Sequence, residues 1–260
     1  MGVTMIRFII KSVLNCFDLE LHRVRKRDAF DDQKMVLSGM ETPVIFDIGA
    51  YIGQVTAKYQ KLFPRATVYS FEPFPDSFRK LQEKFKTYYL IKPFQLAMTD
   101  RAETREFHVH SDKSCNSLFS YSANARRYHH RKAESTAIIE VSATTIDDFC
   151  KKESIPKIHI LKLDVEGAEL LVLRGALEKL TQKLIDLIYT EIMFIPHYEG
   201  GVMFYELCSF LYDFGYTLFN LYDLKRSENG QLRWGNAIFV SSNIRASVID
   251  SVNKEEIKYE

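Results

Sequence analysis

Four apolar segments of this chain each lead directly into a carboxylate residue. These acids are Asp47, Glu72, Asp164 and Glu191. In an open α/β sheet, ligands bind beyond the carboxyl ends of the strands, so the four acids share one crevice if their strands are parallel. An acid after a strand can also simply cap the next helix, and that explanation would suffice for any one of them. Four together predict a ligand site at one edge of a sheet.

The first acid opens a glycine-containing turn, Asp47-Ile48-Gly49-Ala50-Tyr51-Ile52-Gly53. Gly49 allows a tight turn against a ligand and Gly53 lets a helix come close, although two glycines here also suit a purely structural turn. A dinucleotide site has a glycine where this chain has Tyr51, and an acid before the turn repels a pyrophosphate. Glu72 can accept hydrogen bonds from both ribose hydroxyls. The pattern predicts a nucleoside with a positive group and no phosphates, a description that S-adenosylmethionine meets.

Several motifs, in order, resemble the FkbM family of S-adenosylmethionine-dependent methyltransferases over about residues 43–241. They are the glycine turn with Thr56, then Phe71-Glu72-Pro73, Ala97-Met98-Thr99-Asp100, Thr145-Ile146-Asp147-Asp148-Phe149 and Lys162-Leu163-Asp164-Val165-Glu166-Gly167-Ala168-Glu169. The resemblance implies an α/β, Rossmann-like class I methyltransferase fold: a seven-stranded, mostly parallel sheet with an antiparallel last strand and helices on both faces. It also implies O-methylation of a sugar, glycan or natural product. Tyr51 departs from the family, in which a small or polar residue is common there.

We expect nine residues to bind the cofactor S-adenosyl-L-methionine. They are Asp47, Gly49, Ala50, Tyr51, Gly53, Glu72, Pro73, Ala97 and Asp164. The contacts of Asp47, Gly49 and Glu72 are those that the resemblance itself implies, and Ala97 belongs to the segment that matches the family's adenine-side loop.

Methyl transfer to oxygen is an in-line displacement, so positioning of the acceptor supplies part of the rate. A sugar hydroxyl is barely ionised near neutral pH, and a general base should therefore help. The candidate catalytic residues are His197, Glu191, Asp164 and Glu166; His197 could equally be a surface-loop histidine. Asp164, Glu191 and His197 could also ligate a divalent metal, but their spacing is not diagnostic and we assign no metal.

Short apolar runs alternate with helical patterns from residue 43 onward, as in a parallel sheet covered by helices. The patterns predict strands at 44–47, 67–72, 94–97, 103–110, 137–141, 158–164, 184–191, 216–221 and 236–241. The last two should form an antiparallel hairpin. Helices are predicted at 54–63, from an N-cap at Asp76, after Thr145, from Ala168 and at 204–214.

The chain divides into three predicted parts. These are a helical extension at 1–42, a methyltransferase domain at 43–245 and a tail at 246–260. The domain contains an insertion or lid loop at 111–135, whose basic run at 126–132 suits an anionic acceptor. The amino-terminal helix has one apolar face, which predicts docking on the domain, a homodimer contact or an interfacial position.

Composition limits the partners and the compartment. The formal net charge of +1 gives no reason to expect nucleic acid. The amino-terminal apolar segment is interrupted by Arg7 and Lys11 and is too short to span a bilayer. The four cysteines are far apart and form no CxxC pair, which predicts reduced thiols in the cytoplasm.

Three other functions remain open from the sequence. A nicotinamide-dependent oxidoreductase shares the topology, but the missing middle glycine and the acid before the turn count against it. A binding module without catalysis would not need a carboxylate at every strand end. Methylation of a nitrogen or a carboxylate is the third, and no residue separates it from methylation of a hydroxyl.

Overall fold

The main element of the fold is a seven-stranded sheet. The computed structural model describes residues 28–122 and 135–252. The sheet contains β1 (Val44–Ile48), β2 (Thr67–Phe71), β3 (Ile91–Phe94), β7 (Ile158–Leu163), β8 (Ile185–Met193), β9 (Tyr216–Arg226) and β10 (Leu232–Ser241). Their order is β3-β2-β1-β7-β8-β10-β9, and β10 runs antiparallel to both of its neighbours. The predicted parallel sheet with an antiparallel last strand is confirmed.

Helices cover both faces of this sheet. One face carries α1 (Ala29–Val36), α2 (Gln54–Leu62) and α3 (Pro75–Phe85), and the other carries α4 (Ile146–Lys152), α5 (Glu169–Arg174), α6 (Leu177–Thr181) and α7 (Phe204–Asp213). Side chains alternate between the two cores: Ile45 packs among the first set of helices, and Phe46 and Ile48 among the second. Both faces are therefore buried, which is why the central strands are almost uninterrupted apolar runs.

A second, three-stranded sheet packs beside the first and was not predicted. It joins β4 (Ala97–Met98), β5 (Glu103–His110) and β6 (Ser135–Thr144) in the order β4-β6-β5, around a small core of its own. The predicted strand at 94–97 is wrong: β3 of the main sheet ends at Phe94, and Ala97 begins β4 of the second sheet. Pro93 is tolerated in β3 because this strand lies at the edge of its sheet.

The helix starts follow local capping rules. Thr145 caps α4 by accepting a hydrogen bond from the Asp148 amide at 2.9 Å, as predicted. The prediction of Asp76 as the N-cap of α3 is wrong: Phe74 holds that position and Pro75 begins the helix, where its missing N–H has no intrahelical partner in any case.

The helix α1 belongs to the predicted amino-terminal extension but packs on the sheet core. The Tyr59 hydroxyl donates to Gln33 Oε1 at 2.9 Å, and the Tyr222 hydroxyl donates to Asp32 Oδ2 at 2.7 Å. The domain boundary at residue 43 and the tail from 246 stay predictions. The predicted helix that would form a homodimer lies in residues 1–27, outside the described residues. Between 28 and 252, leaving out 123–134, no helix is long and apolar enough to cross a bilayer.

Candidate active site

A cavity of about 480 Å³ opens at the carboxyl ends of β1, β2, β7 and β8. Sheets of this topology bind ligands in this position, where the strand order reverses direction. The predicted site residues that line the cavity are Gly49, Ala50, Tyr51, Glu72, Pro73, Ala97, Asp164, Glu166 and Glu191. The lining does not include Asp47, Gly53 or His197. The structure therefore brings together three of the four strand-end acids.

Glu72 is held rigidly at one end of the cavity. Its two carboxylate oxygens accept hydrogen bonds from the backbone N–H groups of Tyr51, at 2.8 Å, and Phe74, at 2.9 Å. Burial raises the pKa of Glu72 to about 7, against these two hydrogen bonds, which lower it. Each oxygen keeps a further lone pair, so the carboxylate can accept from the two hydroxyls of a ribose.

The glycine turn presses its backbone against the cavity. The N–H groups of Gly49 and Ala50 both donate to the Phe71 carbonyl, at 3.0 and 2.9 Å. Gly49 has a φ of +75°, and a Cβ there would lie 1.8 Å from the Asp164 carbonyl oxygen, so only glycine fits. Tyr51 takes a φ of +50°, a costly conformation for a residue with a side chain, and its bond to Glu72 helps to hold it.

Asp47 lies behind the cavity wall, fully buried and paired with Lys162. Lys162 Nζ is 2.9 Å from Asp47 Oδ1 and donates to the Gly49 carbonyl at 2.9 Å. The Thr56 hydroxyl donates to Asp47 Oδ2 at 2.6 Å. Burial lowers the pKa of Lys162, but attraction by Asp47 and Asp164 outweighs it and leaves the pKa raised. Asp47 thus supports the turn from behind, and we propose that its effect on the cofactor is indirect.

Lys162 was not among the predicted site residues. Its signal in the sequence is a single cation inside the apolar strand β7, followed two residues later by Asp164. Such a buried lysine requires a carboxylate partner in the fold, because an unpaired buried charge is too costly.

Lys162→Met is expected to destabilise the fold by about 3–5 kcal/mol, because it leaves the Asp47 carboxylate buried without its cation. Urea unfolding followed by circular dichroism measures this loss. The matched control is Lys151→Met, which breaks an exposed pair with Glu178 and should leave the free energy of unfolding almost unchanged. Equal, small losses in the two variants would contradict the supporting role of Lys162.

Three carboxylates meet beside the turn. Asp164, Glu166 and Glu191 each offer an oxygen within 4.8 Å of the others. Burial and the mutual repulsion of these acids raise the pKa of Glu166 and of Glu191. The Tyr198 hydroxyl donates to Glu166, whose backbone has a φ of +55°. The three could ligate a hard divalent cation, with Glu166 in the place that the sequence suggested for His197.

Glu169 supports this cluster from the first turn of α5. Its carboxylate accepts hydrogen bonds from the backbone N–H groups of Val165 and Gly167, both at 3.3 Å. The side chain is buried, and burial raises the pKa of Glu169 to about 7. It fixes the loop that carries Asp164 and Glu166.

Gly53 and His197 lie outside the cavity lining. Gly53 is the N-cap of α2 with a φ of +77°, and a Cβ there would lie 2.5 Å from the Phe85 ring, so this glycine serves the packing of α2 on α3. His197 is 4% exposed, and its carbonyl accepts a hydrogen bond from the Ser122 amide at 2.9 Å. Its loop holds one wall of the site in place.

Part of the predicted lid loop lines the cavity. The lining residues are Lys113, Ser114, Asn116 and Leu118, and the sequence placed them in this loop without giving any of them a role in the site. The Ser117 hydroxyl donates to the Glu166 carbonyl at 2.7 Å, which joins this segment to the carboxylate cluster. The basic run at 126–132 lies outside the described residues.

The fold and the site together define the class of protein. A seven-stranded sheet of this order, a glycine turn without a phosphate-binding glycine, and a strand-end acid held beside that turn by backbone N–H groups are features of class I S-adenosylmethionine-dependent methyltransferases. The sequence model of the Methyltransferase FkbM domain matches residues 47–218. The chain belongs to this family.

Two curated relatives carry the same domain. The chain is 29% identical to 2-O-methyltransferase NoeI of Sinorhizobium fredii over 163 residues, which are 61% of this chain and 66% of the relative. It is 29% identical over 172 residues to 31-O-demethyl-FK506 methyltransferase FkbM of Streptomyces tacrolimicus, with 57% and 66% of the two chains covered. The chain thus spans just under two thirds of each relative's length.

Among solved structures, the METTL16 MTase domain is similar in fold. It has a TM-score of 0.49 and 12% sequence identity, and the alignment covers 82% of this chain and 64% of that one.

Proposed function

We propose that this protein transfers the methyl group of S-adenosylmethionine to a hydroxyl of a sugar, a glycan or a natural product. The observation that carries the proposal is the arrangement of one cavity: backbone N–H groups hold the Glu72 carboxylate at one end, and Asp164, Glu166 and Glu191 cluster at the other. The names of two relatives, a 2-O-methyltransferase and a 31-O-demethyl-FK506 methyltransferase, support oxygen as the acceptor atom.

The residues of the cavity divide into those that bind the cofactor and those that face the acceptor. Glu72 would accept from the ribose hydroxyls, Gly49 would let the backbone approach, and Pro73 and Ala97 would border the adenine. The Asp164 side chain is 45% exposed, which suits attraction of the cofactor's positive groups. S-adenosylmethionine supplies an activated methyl group when it is bound.

Glu191 is our candidate for the general base. It lines the cavity on β8, beside β7, and its raised pKa lets the carboxylate hold a proton more strongly than an ordinary glutamate. A base with a pKa nearer to the working pH is more effective in removing a proton from a hydroxyl. Glu166 is tied to Tyr198, which leaves it better placed to position the cluster than to take the acceptor proton.

The direct test is to incubate the protein with isotopically labelled S-adenosylmethionine and a panel of glycosides and hydroxylated natural products. Mass spectrometry then identifies any product that carries the labelled methyl group. A labelled ether supports the proposal. Labelled amine or ester products alone, from a panel that includes such acceptors, would replace it with nitrogen or carboxylate methylation.

Binding of S-adenosylmethionine near pH 7 is expected to release protons. Glu72 has a pKa of about 7, so it is partly protonated at that pH, and hydrogen bonds donated by the ribose hydroxyls favour its ionised form. Calorimetry in buffers of different ionisation enthalpy measures the number released. Cofactor affinity should therefore rise with pH from about 6 to about 8 and level off above.

S-adenosylhomocysteine carries the same ribose, so it should release protons to a similar extent. Glu72→Gln, which has no carboxyl proton to lose, is the control and should release fewer. Equal release by this variant and the wild type, or uptake of protons by the wild type, would show that Glu72 does not accept from the ribose.

The proposed compartment is the cytoplasm. Cys115, Cys150 and Cys208 are free thiols, and free thiols suit a reducing compartment. An anionic acceptor and a homodimer through the amino-terminal helix stay proposals that rest on the sequence alone.

A further inference from the structure

The cavity extends past the carboxylate cluster to a wall formed by β10. Trp234 and Asn236, on this strand, are both partly exposed and line the cavity. In the antiparallel register Asn236 lies directly opposite Glu191 on β8. Side chains opposite one another on paired strands are close neighbours, so Asn236 and Glu191 present an amide and a carboxylate side by side.

This wall lies at the opposite end of the cavity from the ribose site. The strand order places β1, β7 and β8 between β2, which ends at the Glu72 site, and β10. With neighbouring strands about 4.8 Å apart, the two ends are about 19 Å from one another along the sheet. The carboxylate cluster lies between them, so the β10 wall is available to the acceptor rather than to the nucleoside.

The pairing of β10 with β9 is irregular around Trp234. The pairing with β9 shifts register on both sides of Trp234, between Leu232 and Trp234 and between Trp234 and Asn236. A Cβ on Gly235 would lie 2.7 Å from Leu224 Cδ2 and 3.0 Å from the Tyr222 carbonyl oxygen, so a side chain does not fit there. Bulges of this kind redirect side chains and are common beside active sites.

The side chains of the wall match one class of acceptor. An indole ring offers a flat apolar face, on which the C–H face of a pyranose packs, whereas the amide and the carboxylate can hydrogen-bond its hydroxyls. A planar apolar acceptor would use the ring but would leave Asn236 and Glu191 desolvated without partners, which is unfavourable. Lys225 Nζ lies 5.7 Å from the ring centroid and helps to fix the indole.

We propose that Trp234 and Asn236 form the acceptor subsite, in which a pyranose ring stacks on Trp234 and its hydroxyls bind Asn236 and Glu191. This inference rests on the proposed methyl transfer and adds the residues that select the acceptor. Asn236 orients the sugar so that one hydroxyl faces the Glu191 carboxylate.

The test uses the full chain loaded with S-adenosylhomocysteine. Methyl pyranosides of glucose, galactose, mannose and rhamnose are titrated, and saturation-transfer NMR detects which sugar protons contact the protein. The chain has one tryptophan, so intrinsic tryptophan fluorescence reports on Trp234 alone. We expect at least one pyranoside to change the emission saturably and to receive magnetisation on the protons of one ring face.

Substitutions separate stacking from general loss of structure. Trp234→Ala should raise the dissociation constant of that pyranoside about tenfold or more, whereas Trp234→Phe, which keeps an aromatic face, should recover part of the affinity. The matched control is Tyr212→Ala, which removes an aromatic ring that is 72% exposed on α7 and should leave sugar binding unchanged.

The outcomes distinguish this inference from the proposed function. Binding of S-adenosylhomocysteine without any pyranoside, or pyranoside binding that survives in Trp234→Ala, would overturn the subsite and leave methyl transfer standing. Failure to bind S-adenosylhomocysteine in calorimetry would overturn the proposed function itself.

Discussion

Glu72→Ala is expected to weaken the binding of S-adenosylhomocysteine by about a hundredfold or more. A carboxylate that accepts from two ribose hydroxyls contributes about 3–6 kcal/mol as a pair of charged hydrogen bonds, which corresponds to at least that change in Kd. The substitution also removes the acceptor that holds the Tyr51 amide in its left-handed conformation. Isothermal titration calorimetry measures the affinity directly.

Two further variants show whether the loss of affinity is specific to the Glu72 carboxylate. Glu72→Gln keeps the volume and one acceptor oxygen, so it should lose part of the affinity. Glu83→Ala removes an acid that is exposed on α3 and should bind as the wild type does. Circular dichroism establishes that each variant is folded. Unchanged affinity in a folded Glu72→Ala variant would refute the ribose assignment.

Glu191→Gln is expected to slow methyl transfer by about 10²–10⁴-fold, the usual contribution of a general base. Cofactor affinity should change little, because Glu191 lies on the acceptor side of the cluster. The measurement is the release of S-adenosylhomocysteine with the first acceptor that supports turnover. In the wild type, kcat/KM should rise with pH through the raised pKa of Glu191, and the variant should lose that rise.

Two matched variants show whether the effect is specific to Glu191. Glu199→Gln changes an exposed acid near the same edge of the sheet and should turn over normally. His197→Ala should affect the loop that holds the cavity wall more than the pH profile, since His197 is not part of the lining. Loss of the pH dependence in His197→Ala, with Glu191→Gln active, would reverse the assignment.

The strands and the cofactor end of the site could be predicted because local rules decide them. Apolar runs that end on acids predicted β1, β2, β7 and β8, and the predicted glycine turn contains three residues with positive φ, two of them glycines. Glu72 was predicted from its position after β2, and the structure places it in the lining. The strands, the glycine turn and the position of Glu72 are each determined by residues that lie only a few positions apart in the sequence.

The features that sequence analysis missed depend on long-range pairing. Asp47 was predicted as a cofactor-binding residue, and its sequence neighbours do not reveal that it forms a buried ion pair with Lys162, more than a hundred residues away. The second sheet requires β5 and β6 to pair across residues 111–134, and no local pattern encodes that pairing. Trp234 lines the cavity because β10 pairs with β8 and so brings this residue beside the carboxylate cluster, and that pairing joins segments about forty residues apart.

The most direct test of the account is a calorimetric titration of the purified chain with S-adenosylhomocysteine, with NADH and NADPH titrated in parallel. The account places Glu72 where it can accept from a ribose, beside a glycine turn that lacks the phosphate-binding glycine of a dinucleotide site. It therefore predicts saturable binding of S-adenosylhomocysteine and no binding of NADH or NADPH. Binding of NADH or NADPH, without S-adenosylhomocysteine, would contradict it.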